Sequence, residues 1–170
     1  QASKATPTGA VAQFAAGGKP IKKKNLAEIA MSYGYVYVAQ VAMGYDPQQT
    51  VKAIIEAVSY NGPSIIIGYA PCINHGIKGG MTDTQKIISN AVKAGYWNTF
   101  RFDTRLSAEG KVPFTMDSKD PTESFRDFIM NEVRYSSLAR KFPDRAEELF
   151  AIAEQQAKEN YEHWQKYSKL

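Results

Sequence analysis

The sequence predicts an α/β fold with parallel strands between helices, and three observations support this prediction. Two short runs, Tyr35–Met43 (YVYVAQVAM) and Ser64–Tyr69 (SIIIGY), are rich in the β-branched and aromatic residues that favour strands. The segment between them begins with a helix-capping pattern at Asp46-Pro47 and ends at Asn61-Gly62-Pro63. Strand, helix and strand with a connection of this length predict a right-handed βαβ unit whose strands are parallel.

Residues 1–24 precede this unit and are rich in Gly, Ala, Ser and Thr, so an irregular lead-in is predicted. A short helix follows, because Asn25 is a favourable N-cap, Glu28 falls at the third helical position and Gly34 stops the helix. Much of the net charge of +4 comes from four lysines of the lead-in: Lys19, Lys22, Lys23 and Lys24. Because no aromatic residues interleave with them, a solvated loop is predicted and no nucleic-acid partner is expected.

Both predicted strands are apolar on two faces, which is typical of strands covered by helices on both sides. In the helix between them, four aliphatic residues recur at helical spacing and predict the face that packs on the sheet: Val51, Ile54, Ile55 and Val58. The second strand is therefore expected to be as fully buried as the first.

Beyond the second strand, a helix is predicted from about Asp83 to Ala94, and Trp97–Thr104 alternates like an edge strand with one wet face. Residues 107–120 are rich in turn formers, and the last 50 residues are predicted to be helical with a break at Phe142-Pro143-Asp144. The final helix carries a stripe predicted to pack on a neighbouring surface: Leu149, Phe150, Ala153, Ala157, Tyr161 and Trp164. Two regions are expected, an α/β part at 1–106 and a helical extension at 107–170.

Composition excludes several classes of protein. A hydrophobic fraction of 44% with 12% aromatic residues is enough for a packed core and excludes a disordered chain. A single cysteine excludes an internal disulfide and favours a reducing compartment, so a cytoplasmic location is expected. No apolar run approaches the roughly 20 residues needed to cross a bilayer, and no membrane partner is expected. Because the sequence starts at Gln1 without a methionine or a signal peptide, we expect a piece of a longer protein or a processed product.

The loop 70–76 (APCINHG) is the first candidate for a functional site. It follows a predicted parallel strand, and ligands of open α/β sheets bind outside the carboxyl ends of the strands. The loop contains Cys72, the sole cysteine, and His75, one of two histidines. The sequence contains no GxxxxGK[ST], GxGxxG or HExxH motif that would direct attention elsewhere.

Four interpretations of Cys72 stay open from the residues alone. It could be a small buried core thiol, as most free cysteines are. It could be a nucleophile with His75 as its base, although no helix begins directly after it to lower the thiol pKa. It could bind zinc together with His75, with the other ligands supplied by His163 or by carboxylates. It could also give one of the roughly four thiolates of an iron–sulfur cluster, with the others supplied from outside the chain.

The run Ser64–Gly76 (SIIIGYAPCINHG) closely resembles the segment of 2-oxoacid:ferredoxin oxidoreductases that supplies the last cysteine of their proximal [4Fe–4S] cluster. Further stretches that resemble this family are Gln1–Gly9, Ala30–Ala39, Lys93–Trp97 and Tyr135–Phe142. The resemblance implies that Cys72 is a cluster ligand. It makes Asn74 and His75 candidates for hydrogen bonds around that cluster.

By this resemblance the parent protein is a pyruvate:ferredoxin oxidoreductase of anaerobic metabolism. Thiamine diphosphate with Mg²⁺ would decarboxylate pyruvate, coenzyme A would accept the acetyl group, and [4Fe–4S] clusters would carry electrons to ferredoxin or flavodoxin. The parent is expected to be a homodimer. The chain would be the second half of a thiamine diphosphate-binding module, a parallel sheet flanked by helices, with a C-terminal helical extension.

Several parts of the family's pattern are absent from these residues. The GDG element, the magnesium ligands, the other three cluster cysteines and the glutamate that activates thiamine do not occur in the sequence. We therefore expect the isolated chain to be catalytically inert, and its partner to be the rest of the parent enzyme. Two other functions stay open: a non-catalytic α/β interaction module with a core Cys72 and a lysine run that docks an acidic partner, or a Cys72/His75 thiol enzyme.

Overall fold

The computed structural model describes residues 2–72 and 76–169 of the chain. The strands of this part are β1 (Tyr37–Val41), β2 (Ser64–Gly68), β3 (Phe100–Phe102) and β4 (Phe114–Met116). Its helices are α1 (Leu26–Met31), α2 (Pro47–Ser59), α3 (Thr84–Lys93), α4 (Arg105–Ala108), α5 (Phe125–Ile129), α6 (Val133–Lys141) and α7 (Pro143–Tyr167). The strands form one sheet in the order β2–β1–β3–β4 with helices on both faces, so the predicted α/β class is confirmed.

The predicted βαβ unit is confirmed, with β1 and β2 parallel and α2 as the crossover between them. Local capping fixes where the helices begin. The Asp46 side chain accepts a hydrogen bond from the Gln49 backbone N–H at 3.0 Å, and the Asn25 side chain accepts one from the Glu28 N–H at 3.2 Å. These are the N-caps that the sequence indicated.

The prediction of an edge strand at Trp97–Thr104 is wrong. Its ordered core is β3, which lies inside the sheet and pairs antiparallel with β1 on one side and with β4 on the other. The sheet is therefore mixed. Sequence reasoning missed β4, because three residues in a turn-rich segment are too short to show an alternating pattern. Since β4 joins the sheet from beyond residue 106, the division into 1–106 and 107–170 stays a prediction.

The outer strand of the parallel pair is β2, and the expectation that it is fully buried is wrong. Its residues alternate between exposed and half-buried, and Ile66 keeps 37% of its surface. The burial predicted for one face of α2 is also wrong, because its four aliphatic residues are between 47% and 82% exposed: Val51, Ile54, Ile55 and Val58. We call these four residues the α2 stripe.

The helix α2 packs on the sheet with a different face. Ala53 is fully buried, and it clusters with Tyr37, Ala39 and Val41 from one face of β1. Periodicity identified an apolar stripe correctly but could not show whether this chain contains its partner. A large apolar surface therefore lies on the outside of α2.

The opposite face of β1 packs against α1 and the end of α7. Trp164 of α7 is 1% exposed, with its ring centroid 4.6 Å from that of Phe100 and 5.5 Å from that of Phe114. Farther along α7, Leu149 and Phe150 are buried against α6. The predicted packing role of the α7 stripe is confirmed for these residues, and α7 thus ties the sheet to the C-terminal helices.

A buried ion-pair network holds α2 to the sheet. The Arg101 guanidinium in β3 donates to Glu56 of α2 at 2.6 Å and to both carboxylate oxygens of Asp117 at 2.8 and 2.9 Å. Gln49 of α2 also donates to Asp117 at 2.8 Å. Burial lowers the Arg101 pKa, but the hydrogen bonds to Asp117 and Glu56 outweigh it and raise that pKa above its ordinary value. The guanidinium is therefore charged whenever the chain is folded.

The lysine run of the lead-in is solvated except at one position. Lys22, Lys23 and Lys24 are exposed, whereas Lys19 is 4% exposed and donates to the backbone carbonyls of Ser3, Lys4 and Thr6. Three carbonyls satisfy the three N–H donors of the ammonium group. Burial, with the nearby Lys4 charge, lowers the Lys19 pKa. Lys19 is thus an internal support of the lead-in.

In the part of the chain described by the structure, no helix combines the length and apolar character needed to cross a membrane.

We expect the isolated chain to self-associate, because the α2 stripe and the outer edge of β2 present apolar and unpaired backbone surface to water. Sedimentation velocity and light scattering over a range of concentrations should show species above the monomer mass. The double substitution Ile55→Lys and Val58→Lys should shift the distribution toward monomer.

Lys158→Glu is the matched control, because Lys158 lies on the solvent side of α7 with its side chain 64% exposed. It should leave the association unchanged. A parent chain that stays a well-folded monomer at high concentration would contradict the prediction.

Candidate functional site

Cys72 lies just beyond the carboxyl end of β2, at the edge of the sheet where ligands of α/β proteins bind. Its thiol is free and the residue is exposed. The core-thiol interpretation is therefore wrong, and so is the form of the interaction-module alternative that needs Cys72 in the core. An exposed thiol at a strand end is accessible to other segments.

The two residues proposed to assist Cys72, Asn74 and His75, lie outside the described residues. The thiol-enzyme alternative, in which His75 is the base, therefore stays a hypothesis. His163, the third residue of the zinc alternative, lies on α7 with its Nε2 3.2 Å from Glu28 Oε1 and its ring against Trp164. Across residues 2–72 and 76–169, no three or more His, Cys, Asp and Glu side chains form a group that could hold a metal ion.

The chain on both sides of Cys72 is tied to one segment, residues 131–134. Before the cysteine, the Tyr69 hydroxyl donates to Glu132 Oε1 at 2.8 Å. After it, the Val133 N–H donates to the Gly76 carbonyl at 3.0 Å, and Ile77 forms an antiparallel bridge with Glu132. The outgoing and returning arms of the loop therefore converge on Glu132.

The Glu132 carboxylate is buried, at 4% exposure, and both of its oxygens are satisfied. Oε1 accepts from Tyr69, and Oε2 accepts from Arg134 Nε at 2.5 Å. Arg134 also donates to the Tyr96 hydroxyl at 3.0 Å, which is 3.1 Å from the Tyr135 hydroxyl. Such complete pairing is what a buried carboxylate requires to be tolerated.

This network shifts the pKa values of its members. Burial, followed by the Glu132 charge, raises the pKa of Tyr69 well above its ordinary value. Burial likewise raises the pKa values of Tyr96 and Tyr135. Burial lowers the Arg134 pKa, but the neighbouring tyrosines and Glu132 outweigh it and raise that pKa overall. In the folded chain, the three tyrosines are therefore neutral and Arg134 is charged.

Gly76 is required where the returning arm meets this segment. Its φ is +80°, and a Cβ at this position would lie 2.6 Å from Val133 Cγ2. Sequence reasoning placed Gly76 in the candidate loop but missed Glu132 and Arg134. A lone acidic residue just before an amphipathic helix has no motif, and the contacts of Glu132 with the loop, at Tyr69 and Ile77, are more than 50 positions away in the chain.

The site residues fit one part of an iron–sulfur centre. Iron–sulfur clusters are held by cysteine sulfur atoms, and Cys72 offers an exposed cysteine side chain. The chain cannot complete a ligand set, because its sequence contains no second cysteine. For thiamine diphosphate with Mg²⁺, the described residues contain no group of three or more His, Cys, Asp and Glu side chains that could hold the ion without the diphosphate.

The raised tyrosine pKa values predict a loss of stability at high pH. The unfolded-state value is about 10, so the stabilisation is fully present below that pH and is lost as pH rises above it. Urea unfolding between pH 7 and 11 should show a free energy that falls above pH 10, with a shallower fall in Tyr69→Phe. Absorbance at 295 nm should show these tyrosines ionising together with unfolding.

The chain in concentrated urea is the reference, and there all tyrosines should titrate together near pH 10. Free ionisation of every tyrosine near pH 10 in a chain that stays folded would contradict the prediction.

The sequence matches no family model. It is 60% identical over 166 residues to the pyruvate:ferredoxin oxidoreductase of Moorella thermoacetica, covering 98% of this chain and 14% of that relative. It is 51% identical over 166 residues to the pyruvate-flavodoxin oxidoreductase of Klebsiella pneumoniae, again covering 98% of the chain and 14% of the relative. The mitochondrial pyruvate dehydrogenase [NADP(+)] of Euglena gracilis is 49% identical over 149 residues, 88% of the chain and 8% of the relative.

The chain thus spans about one seventh of the length of the first two relatives. An identity of 60% across 98% of the chain is far above what chance or a shared fold alone would give. The resemblance seen in the sequence is confirmed: over nearly its whole length, this chain is homologous to one segment of the pyruvate:ferredoxin and pyruvate-flavodoxin oxidoreductases.

Proposed function

We propose that this chain is the part of a pyruvate:ferredoxin or pyruvate:flavodoxin oxidoreductase that supplies one thiolate, from Cys72, to a [4Fe–4S] cluster. The observation that carries the proposal is the exposed free thiol at the carboxyl end of β2, in a chain homologous to these enzymes. A thiolate is a soft ligand that suits iron–sulfur clusters. The other three thiolates would come from elsewhere in the whole protein.

The whole protein would oxidise pyruvate to acetyl-CoA and CO₂ and pass the two electrons to ferredoxin or flavodoxin. The names of the relatives include pyruvate, ferredoxin and flavodoxin, which supports this substrate and these acceptors. When bound, thiamine diphosphate with Mg²⁺ supplies the decarboxylation chemistry, and [4Fe–4S] clusters supply one-electron transfer. Coenzyme A would accept the acetyl group.

The residues of this chain would contribute support for one cluster. Cys72 would hold an iron atom at the end of β2, where ligands of α/β sheets collect. Asn74 and His75 would be candidates for hydrogen bonds to that cluster. The regions 1–106 and 107–170 would be the second half of a thiamine diphosphate-binding module and its helical extension, in a homodimeric parent.

The exposed apolar surface supports the proposal that this chain works inside a larger protein. The α2 stripe and the outer edge of β2 are left uncovered by the described residues, and both would pack against the rest of the enzyme. The two relatives contain such additional polypeptide, because this chain matches 14% of their length.

The isolated chain should bind neither thiamine diphosphate nor a stable cluster. Its sequence lacks a GDG element, and it contains a single cysteine. Calorimetric titration with thiamine diphosphate and Mg²⁺ should give no heat of binding. Anaerobic reconstitution with iron and sulfide should leave no [4Fe–4S] absorbance after desalting. A thiamine diphosphate dissociation constant in the micromolar range would contradict this prediction.

In the full-length enzyme, Cys72→Ser should remove or destabilise the cluster that Cys72 serves, because a serine oxygen is a harder and poorer ligand for iron than a thiolate. Iron content and low-temperature electron paramagnetic resonance of the reduced enzyme should show the loss of one cluster. Ferredoxin reduction should fall sharply, whereas pyruvate binding and decarboxylation should survive, because thiamine supplies that chemistry.

His75→Ala is the comparison within the same loop, and it should have a small effect unless His75 donates a hydrogen bond to the cluster. Full iron content and parent-rate ferredoxin reduction in Cys72→Ser would show that Cys72 is not a ligand.

A further inference from the structure

We propose that Glu132 is a positioning residue for Cys72, and that its carboxylate acts through Tyr69 to fix where the thiolate meets its iron. This inference rests on the proposed function, because it assumes that Cys72 binds a cluster. Glu132 is 4% exposed, and Tyr69 donates to it at 2.8 Å. Cys72 follows Tyr69 by three residues, so this hydrogen bond is a side-chain tether close to the thiol.

Within this chain, the backbone pairing of β2 ends just before Cys72. Its neighbour on one side is β1, and the last contact between the two strands is the Tyr69 N–H to the Val41 carbonyl at 3.3 Å. On the other side, no strand of the described residues pairs with β2. Beyond Tyr69, the side-chain bond to Glu132 therefore replaces the backbone ladder that a central strand would have.

The same residue holds the returning arm. Glu132 forms a bridge with Ile77, and the next residue, Val133, donates to the Gly76 carbonyl at 3.0 Å. The two arms of the Cys72 loop are thus fixed relative to each other by contacts one residue apart. A loop held at both ends on one support loses less conformational freedom when its thiolate binds.

A buried carboxylate is a costly way to secure a loop. Apolar side chains of similar volume often stabilise a core equally well. A buried ion pair is therefore better explained by the single arrangement of side chains that it selects than by the stability that it adds. Here, Arg134 and Tyr69 occupy both oxygens of Glu132, and Tyr96 links the pair to Tyr135. Because Arg134 holds Glu132 in place, the hydrogen bond from the Tyr69 hydroxyl to Glu132 restricts the orientation of the Tyr69 ring.

Tyr135 supplies a matched control. Tyr135→Phe and Tyr69→Phe each remove one hydroxyl from the same buried network, but the Tyr135 hydroxyl bonds to Tyr96 and not to the loop. If the network only stabilises the fold, the two variants should behave alike. If it positions Cys72, the cluster should respond to Tyr69→Phe and to Glu132→Gln, and not to Tyr135→Phe.

The test uses the full-length enzyme with its clusters, with Tyr69→Phe, Glu132→Gln, Tyr135→Phe and Cys72→Ser prepared in parallel. One readout is the rate at which a chelator of ferrous iron removes iron from the clusters. The others are the resonance spectrum of the reduced clusters and hydrogen exchange of the peptide that spans residues 66–80.

We expect Tyr69→Phe and Glu132→Gln to release the iron of one cluster about tenfold faster, as is typical when a residue supporting a metal ligand is lost. They should also broaden the spectrum of that cluster and increase exchange at 66–80. Tyr135→Phe should match the parent enzyme in all three readouts.

Parent-like iron release and spectra in a folded Tyr69→Phe enzyme would overturn the positioning role, as would equal effects of Tyr69→Phe and Tyr135→Phe. If Glu132→Gln does not fold, Tyr69→Phe decides alone, because it removes a single hydroxyl. Loss of one cluster in Cys72→Ser with parent-like Tyr69→Phe would reject this inference and leave the proposed function standing. Full iron content in Cys72→Ser would reject both.

Discussion

The burial of β1 on both faces is the constraint on which the rest of this structure depends. All five residues of the strand are buried, with α2 packed on the Tyr37 face and α1 with Trp164 packed on the Val38 face. Because no side of β1 is free for water, every neighbouring element must supply either apolar surface or a complete set of hydrogen bonds. Arg101 of β3, the strand that pairs with β1, is an example of complete hydrogen bonding. Its guanidinium donates to a carboxylate of α2 and to a carboxylate that follows β4.

Both faces of β1 and its edge toward β3 are covered by well-packed elements of this chain. The edge toward β2 is covered by a strand that is itself less buried. The parallel partner of β1 is itself half-exposed, and α2, which lies over the pair, shows its most apolar stripe to water. A sheet that ended here in nature would be expected to cover this edge or to blunt it with charge. The stripe and the edge therefore support the proposal that further polypeptide covers this surface, as do relatives whose sequences are about seven times longer.

Local features of the fold could be predicted from the sequence, and long-range ones could not. The N-caps at Asn25 and Asp46 depend on residues within one helical turn, and both are present. The place of β3 depends on β4, which is three residues long and has no pattern of its own. The α2 stripe misled because periodicity reports that a face is apolar, and not whether its partner belongs to the same chain. Glu132 was missed for a related reason, since its importance comes from Tyr69, 63 positions earlier.

The candidate site combines an exposed thiol with a buried support, and this combination bears on its function. A core cysteine would be buried with its surroundings, and a solvent-exposed cysteine without a role would need no buried carboxylate near it. Cys72 is exposed, whereas the half-buried Tyr69 and the buried Glu132, which hold its loop, are joined by a hydrogen bond of 2.8 Å. A ligand that must meet groups from other segments has to face outward, and it binds them well only if its own position is set in advance. The physical organisation around Cys72 therefore supports the proposal that Cys72 is a ligand completed by residues outside the chain.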